Sequence, residues 1–375
     1  MAIGEDPTPG GFCRKRIGPK PETEFGKTAD WPGLDKCNRE ADVMKPEVLS
    51  RTVAVVTTML TIMIGTIIVS VMVGTTTQDI FELLLRGGKT EESQKAWAIL
   101  LEYRIPRTLL AAAVGAGLAV SGAVFQGVTR NPLADPYLMG IASGAALGAV
   151  TSLILSGDHP FLGTPLPAFL GGLVSVGMVY GLVTARRRGD YVNTIILAGV
   201  IVAALMNALM LLIISVSGSH EMQRILFGLM GDFTLADYRQ VQVASLFVIG
   251  GSMLIYARAN TLNLLTAGDD TAAHLGVHVG RTRTFFIIVG SLVTGAAVSV
   301  AGTVGFVGLV VPHVMRLLFG PDNRVLLPAS FLGGAAFLTA ADCVARIVAY
   351  PVELPVGVIT ALTGAPFFLY LLMRK

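Results

Sequence analysis

Residues 192–216 read VNTIILAGVIVAALMNALMLLIISV and contain no charged side chain. An α-helix rises about 1.5 Å per residue, so about 20 apolar residues cross the hydrocarbon core of a lipid bilayer, which is roughly 30 Å thick. This stretch therefore predicts a membrane-spanning helix. The same pattern recurs on both sides of it along the chain.

Nine other apolar stretches, most of them about as long, flank this one. They lie at about 52–74, 107–129, 138–156, 164–185, 240–257, 284–304, 306–319, 326–348 and 354–373. Several glycines and Pro312 interrupt the long apolar run from 284 to 319, which could be divided at another point. The predicted fold class is all-α, a polytopic membrane protein with about ten transmembrane helices.

The composition excludes several classes of protein. Hydrophobic residues make up 53% of the 375 residues and charged residues only 14%, whereas soluble domains usually carry about 25% charged residues. The lipid bilayer is therefore the expected surrounding. The net charge is only +3, and the basic residues form no stripe with interleaved aromatics, so no nucleic-acid partner is expected. The three cysteines, Cys13, Cys37 and Cys343, are too far apart to suggest a zinc site or a disulfide framework.

The chain divides into a tail, residues 1–51, and a transmembrane domain, residues 52–375. The tail is rich in Lys and Arg and lacks apolar periodicity, which predicts a mobile cytoplasmic segment, and the first apolar run is expected to be a retained span. With the tail inside, most basic loops also fall inside, so we expect a multi-pass protein of the cell membrane with both termini cytoplasmic. One outside loop breaks this rule with Arg86, Lys89, Lys95, Arg104 and Arg107.

Motifs for chemistry are scarce. The five histidines lie in different segments, and only His274 and His278 have a spacing that could share a metal, although Gly276 between them favours a loop. Gly88-Lys89-Thr90 resembles the end of a phosphate-binding loop but lacks the required upstream glycine. We therefore expect no catalytic residue, no metal and no cofactor bound by this chain. A membrane enzyme would need a reactive cluster that this sequence does not provide.

Two further features of the sequence predict local structure: a pair of opposite charges in a span and an organised loop between two spans. Asp342 and Arg346 lie four residues apart near the end of the ninth span, a spacing that favours an ion pair on one helix face. The loop from 258 to 283 predicts two short helices hinged at Gly268, with Asp269 as N-cap and Gly276 closing the second helix. Its apolar side chains either contact a partner protein or fold back on the bundle. They are Leu264, Leu265, Ala272, Ala273 and Leu275.

A series of motifs resembles the FecCD-type permeases, the membrane subunits of ATP-driven importers for ferric siderophores, haem and vitamin B12. The likeness covers about residues 52–375. The motifs are RIPR at 104–107, GAGLAVSGAVFQG at 115–127, RNPLADP at 130–136, GIASGA at 140–145, LAGV at 197–200, AGTVGFVGLVVPH at 301–313, ELPVGV at 353–358 and GAPFF at 364–368.

The resemblance implies a homodimer with a central pathway, two ATP-binding subunits that hold ATP and Mg, and an extracytoplasmic substrate-binding protein. It implies that Arg104, Arg107 and Arg346 receive acidic residues of that binding protein, which would explain the basic outside loop. Snorkelling at the membrane interface is the alternative explanation for an arginine at a helix end.

The resemblance also implies that the loop couples the permease to the ATPase and that Asn131 and Leu133 lie at a cytoplasmic gate. A second constriction would fall near 191–193, where the sequence departs from the vitamin B12 member. The substrate stays open among chelates and corrinoids, and an ATP-independent secondary carrier is the alternative. The implied coupling residues are Leu264, Leu265, Gly268, Asp269, Asp270, Ala272, Leu275 and Gly276.

Overall fold

Each of the ten predicted apolar stretches forms a helix, and all described regular structure is helical, which confirms the predicted fold class. The computed structural model describes residues 46–73, 91–156, 165–185, 191–216, 229–234, 236–349 and 352–373. Most of the predicted tail, residues 1–45, lies outside the described residues. The same holds for Arg86, Lys89 and the basic residues at 186–188 and 374–375.

The helices are numbered in chain order. The first part of the chain contains α1 (Pro46–Met72), α2 (Glu91–Ala98), a π-helical segment (Ile99–Arg104), α3 (Ile105–Thr129), a 3₁₀ turn (Pro136–Met139), α4 (Ile141–Ser156), α5 (Pro165–Ala185) and α6 (Tyr191–Val216). The second part contains α7 (Tyr238–Tyr256), α8 (Ala259–Thr266), α9 (Asp269–His274), α10 (Val279–Ala301), α11 (Val307–Phe319), α12 (Asn323–Ile347) and α13 (Val356–Met373).

The length and composition of each helix indicate whether it could cross a membrane. Among the described residues, six helices are long and apolar enough to span a bilayer, and α7 with α8 forms a seventh candidate that is bent by 63°. Three shorter apolar helices, α4, α11 and α13, complete the set of ten. By length and composition, the fold is therefore that of a multi-pass membrane protein.

Helix α3 occupies the centre of the bundle. Its residues are buried on nearly every face, and it packs against α12, α10, α7 and α11. Two close approaches require glycine: a Cβ on Gly115 would lie 2.2 Å from the carbonyl oxygen of Gly334, and a Cβ on Gly122 would lie 1.8 Å from that of Gly308. Small residues at these positions let the backbones touch, as is typical of membrane helix bundles.

The long apolar run near 284–319 divides at residues 302–306. Helix α10 ends before Gly302, and α11 begins after Phe306, whose backbone is left-handed. Tyr137 supplies hydrogen-bond partners for the backbone at this break. Its hydroxyl donates to the carbonyl of Val304 (2.8 Å) and accepts from the Val304 N–H (2.9 Å). Backbone groups that leave a helix inside an apolar bundle need such partners.

Candidate functional site

A cluster of charged side chains lies where the N-terminal end of α3 meets the C-terminal end of α12. The Asp342 carboxylate accepts hydrogen bonds from Arg107 Nη2 (2.9 Å) and Arg107 Nε (3.1 Å), and it pairs with Arg346 Nε at 3.2 Å. The Arg107 Nη1 atom donates to Glu353 Oε2 at 2.6 Å. Asp342 is 1% exposed, so this carboxylate bridges two helices from a buried position.

The end of α1 supplies further partners to the cluster. Arg104 Nη1 donates to the carbonyls of Val71 (3.3 Å) and Met72 (3.2 Å). Arg346 donates to the carbonyl of Val73 (3.1 Å) and to the carbonyl (3.1 Å) and hydroxyl (2.6 Å) of Ser70. The last carbonyls of a helix lack partners within the helix, and cations there are favoured by the helix dipole. Two arginines therefore cap α1.

The structure brings the three predicted arginines into one cluster, which we call the arginine cluster: Arg104, Arg107, Asp342, Arg346 and Glu353. The ion pair between Asp342 and Arg346 confirms the prediction made from their spacing. All three arginines are at most 8% exposed. Contact with a separate binding protein stays a prediction, and it would require these side chains to exchange an internal partner for an external one.

At the opposite end of α3 and α12, residues 258–283 form the predicted pair of short helices. Helix α8 and helix α9 meet at Gly268, whose φ of 125° is a conformation that favours glycine, so the predicted hinge is confirmed. Gly276, with φ 85°, follows the end of α9, and the Val277 N–H donates to the Ala272 carbonyl at 3.0 Å. We call residues 258–283 the coupling loop after the role that the resemblance implies, which stays a prediction.

One expectation for the coupling loop needs correction, and the burial of two residues fits the alternative that the loop folds back on the bundle. The N-cap of α9 is Gly268 and not Asp269; the Asp269 carboxylate instead accepts hydrogen bonds from Arg130 Nη2 (3.0 Å) and Arg283 Nη2 (2.8 Å). Leu265 and Ala272 pack inside the bundle and are 2% and 0% exposed, because they lie on the inward faces of α8 and α9. Within residues 259–276, the surface left for a partner consists of Thr266, Ala267, Asp270, Thr271, Ala273, His274, Leu275 and Gly276.

Sequence reasoning missed the polar contacts that anchor α8 to α12. Asn263 Oδ1 accepts hydrogen bonds from the Asn323 N–H (2.9 Å) and from Asn323 Nδ2 (2.7 Å). Asn263 Nδ2 donates to Asp322 Oδ1 at 2.7 Å, and Arg324 Nε bonds to Asn260 Oδ1. The Asp-Asn pair before an apolar helix could have been read as an N-cap. Its partners, about sixty positions away, left no local signal.

The predicted gate residues lie just beyond the end of α3. Arg130 ends the helix in a left-handed conformation, and Asn131 Oδ1 accepts a hydrogen bond from the Leu133 N–H at 2.9 Å. The Leu133 side chain is 54% exposed. The second expected constriction coincides with the start of α6, at Tyr191. The gate role of these residues stays a prediction.

The class of protein follows from these observations: a multi-pass helical membrane protein that carries a buried charged cluster and a hinged loop at opposite ends of the same two helices. Among the described residues, no group of three His, Cys, Asp or Glu side chains could hold a metal ion.

Comparison with known proteins gives the family. Residues 58–374 match the FecCD transport family. The chain is 47% identical over 282 residues to the "Cobalamin import system permease protein BtuC" of Halobacterium salinarum, covering 75% of each chain. It is 38% identical over 294 residues to the "Hemin transport system permease protein HmuU" of Yersinia pestis, covering 76% of this chain and 86% of the relative.

A third relative and a solved structure agree with this assignment. The chain is 39% identical over 276 residues to the "Fe(3+) dicitrate transport system permease protein FecD" of Escherichia coli, covering 74% and 85%. The fold is similar to that of a metal-chelate type ABC transporter in an inward-facing conformation, with TM-score 0.76, 28% identity, and 86% and 99% of the two chains covered. This chain belongs to the FecCD transport family. It is an importer permease of the ABC type and not an enzyme, as the sequence predicts.

Proposed function

We propose that the chain works as a homodimer, with two ATP-binding subunits on one side of the membrane and a substrate-binding protein on the other. Its substrate is an iron chelate, haem or cobalamin, the classes that the names of its relatives print. The observation that carries this proposal is that α3 and α12 each contact a different candidate docking region at their two ends. Each helix ends in the arginine cluster on one side and contacts the coupling loop on the other.

The charge distribution supports an orientation with both termini cytoplasmic. A set of arginines gathers at the end of the bundle that carries the coupling loop, and Lys and Arg favour the cytoplasmic side. At the other end, Arg104, Arg107 and Arg346 have carboxylates or helix carbonyls of this chain as partners. These contacts give two residues of the exceptional outside loop, Arg104 and Arg107, a structural reason. The set near the coupling loop consists of Arg130, Arg258, Arg281, Arg283, Arg316 and Arg324.

In this orientation the arginine cluster faces the binding protein, and the exposed side of the coupling loop faces an ATP-binding subunit. Arg suits the first role because its planar guanidinium binds carboxylates in a bidentate manner. Asn131 and Leu133 then lie on the cytoplasmic side, where a gate closes the pathway between two copies of the chain. ATP and Mg are held by the partner subunits.

The test is reconstitution of the chain with its ATP-binding subunits in liposomes, followed by uptake of labelled cyanocobalamin, haemin or ferric dicitrate delivered by the binding protein. We expect uptake of at least one probe that depends on ATP. Arg104→Gln keeps donors for the α1 carbonyls but removes the charge, and we expect docking of the binding protein to weaken about tenfold.

Arg239→Gln is the matched control, because Arg239 is exposed at the start of α7, whose Tyr238 hydroxyl donates to the Leu101 carbonyl near the arginine cluster. We expect this variant to dock normally. Uptake by the chain without any ATP-binding subunit would favour a secondary carrier instead. Equal docking of the Arg104→Gln variant and the unmodified chain would contradict the role of the cluster.

A further inference from the structure

Helices α3 and α12 pack antiparallel with their backbones in contact. Each has 25 residues and is therefore about 37 Å long. A Cβ on Gly115 would lie 2.2 Å from the Gly334 carbonyl oxygen, and a Cβ on Gly334 would lie 2.3 Å from the Gly115 carbonyl oxygen. No side chain separates the two helices at this crossing. Their relative position cannot adjust by a change of rotamer there, because close-packed interiors transmit strain.

Asp342 joins the two helices at one end. It holds Arg107 of α3 through two nitrogen atoms and Arg346 of α12 through a third, and it is 1% exposed. Charge-assisted hydrogen bonds of this kind are strong in a buried setting. A displacement of either arginine must therefore move the carboxylate, and with it the ends of both helices.

The coupling loop joins the two helices at the other end. Arg130, the residue after α3, pairs with Asp269 of α9, and Leu262 of α8 lies against Gly127 of α3. Asn323, the first residue of α12, donates two hydrogen bonds to Asn263 of α8 and is 2% exposed. Both helices of the pair thus contact the coupling loop directly.

We propose that α3 and α12 form one mechanical unit that transmits a displacement of the arginine cluster to the coupling loop. Asp342 and Asn323 are its positioning residues, one at each end. The assignment of the arginine cluster to docking of the binding protein, and of the coupling loop to contact with the ATPase, rests on the proposed function. The transmission itself rests on the contacts above, because a stiff pair with its backbones in contact moves as a body and its fixed ends move with it.

The experiment measures amide hydrogen exchange of the full chain in lipid nanodiscs, without any partner protein. Asp342→Asn perturbs one end, and residues 259–276 report on the other. We expect exchange there to accelerate about threefold or more, as for residues coupled within one network. Residues 193–216 of α6, which packs on α4 and α5, should change less than twofold.

A double-mutant cycle separates transmission from general loosening. Asn323→Ala removes the side-chain bond to Asn263 and leaves the other contacts of the loop in place. Adding Asp342→Asn to it should therefore accelerate exchange at residues 259–276 by much less than the product of the two separate effects. Asn207→Ala, the same truncation on an exposed position of α6, is the matched control and should leave residues 259–276 unchanged. If Asp342→Asn does not yield folded protein, Glu353→Gln perturbs the same end more mildly, since the Glu353 side chain is 30% exposed.

Three results would overturn the proposal: unchanged exchange at residues 259–276, equal acceleration in α6, or independent effects of the two substitutions. Because the experiment uses neither an ATP-binding subunit nor a binding protein, its outcome does not depend on the proposed function. Failed uptake combined with a positive exchange result would reject the proposed function alone.

Discussion

Asp342 accepts hydrogen bonds or ion pairs from two arginines in a part of the bundle that is closed to water. Removing one partner of a buried ion pair leaves the other charge without compensation, which typically costs about 3–5 kcal/mol. Replacing both partners together costs much less. The arginine cluster is therefore a set of charges that depend on one another, and single substitutions in it change folding as well as docking.

This interdependence gives a prediction for Arg107. We expect Arg107→Ala to lower the free energy of unfolding by about 3 kcal/mol, because Asp342 and Glu353 lose their shared donor. The double variant Arg107→Ala with Asp342→Ala should recover part of this loss. The measurement is the thermal midpoint of the purified chain in detergent. A double variant that is less stable than either single variant would contradict the assignment of Asp342 as the counter-charge.

Sequence spacing predicts only one contact of this cluster, the one between two residues of the same helix. Asp342 and Arg346 share a helix face, so their spacing was sufficient to predict the pair. Arg107 and Asp342 are 235 positions apart, and a single sequence contains no signal for a contact over that distance. The same limit applied to Asn263 and Asn323. The family resemblance identified three arginines of the cluster but not the carboxylates that hold them.

For the helices, hydropathy predicts where each one lies along the chain but predicts the residues at which it begins and ends less accurately. Hydropathy predicts a second span that begins near 107, whereas the helical segment is continuous from Glu91 to Thr129. Residues 94–104 include Gln94, Lys95, Glu102 and Arg104, and such polar residues do not count as membrane-spanning in a hydropathy argument. The helix continues through these residues as a π-helical segment, Ile99–Arg104. The spacing of apolar residues in the sequence does not predict this segment.

The coupling loop combines a correct prediction with a corrected one. Glycine at 268 and 276 marked the boundaries of α9, because both positions need a left-handed or extended positive-φ backbone. The inward orientation of Leu265 and Ala272 could not be predicted, since two short helices can present either face to the bundle. Their burial leaves mainly small and polar side chains on the outer surface of the loop.

The hinge at Gly268 gives a prediction at this scale. Gly268→Ala places a Cβ on a backbone with φ 125°, a strain of about 1–3 kcal/mol, so we expect amide exchange of residues 269–276 to accelerate about fivefold or more. Gly280→Ala is the control, because Gly280 lies in the first turn of α10 and an added Cβ there would have no neighbouring atom within 4 Å. Equal effects of the two substitutions would show that the backbone conformation at 268 is not restrictive.

For the whole molecule, the two ends are distinct in chemistry. One end concentrates buried charge between α1, α3 and α12, and the other presents a hinged pair of short helices after a bend of 63°. A transporter that alternates between two states needs its two partner surfaces to communicate, and coupling of about 1–3 kcal/mol between sites is typical. The α3–α12 pair contacts both of these regions directly.

The whole-molecule prediction uses the assembled importer. We expect Asn323→Ala to leave basal ATP hydrolysis and docking of the binding protein within about twofold of the unmodified complex, while stimulation of hydrolysis by the loaded binding protein falls about fivefold or more. The measurement is phosphate release with and without the binding protein. Full stimulation in this variant would mean that the two surfaces communicate by another route.

The long separation of Arg107 from Asp342 also has a consequence for biogenesis. A ribosome adds about 5–20 residues per second, so the carboxylate emerges roughly 10–50 s after the guanidinium. During that interval Arg107 is already part of the chain, while the carboxylate that pairs with it has not yet been made. A nascent chain arrested before α12 lacks Asp342 and Glu353 altogether, so its Arg107 has neither of the two carboxylates that hold it in the complete chain.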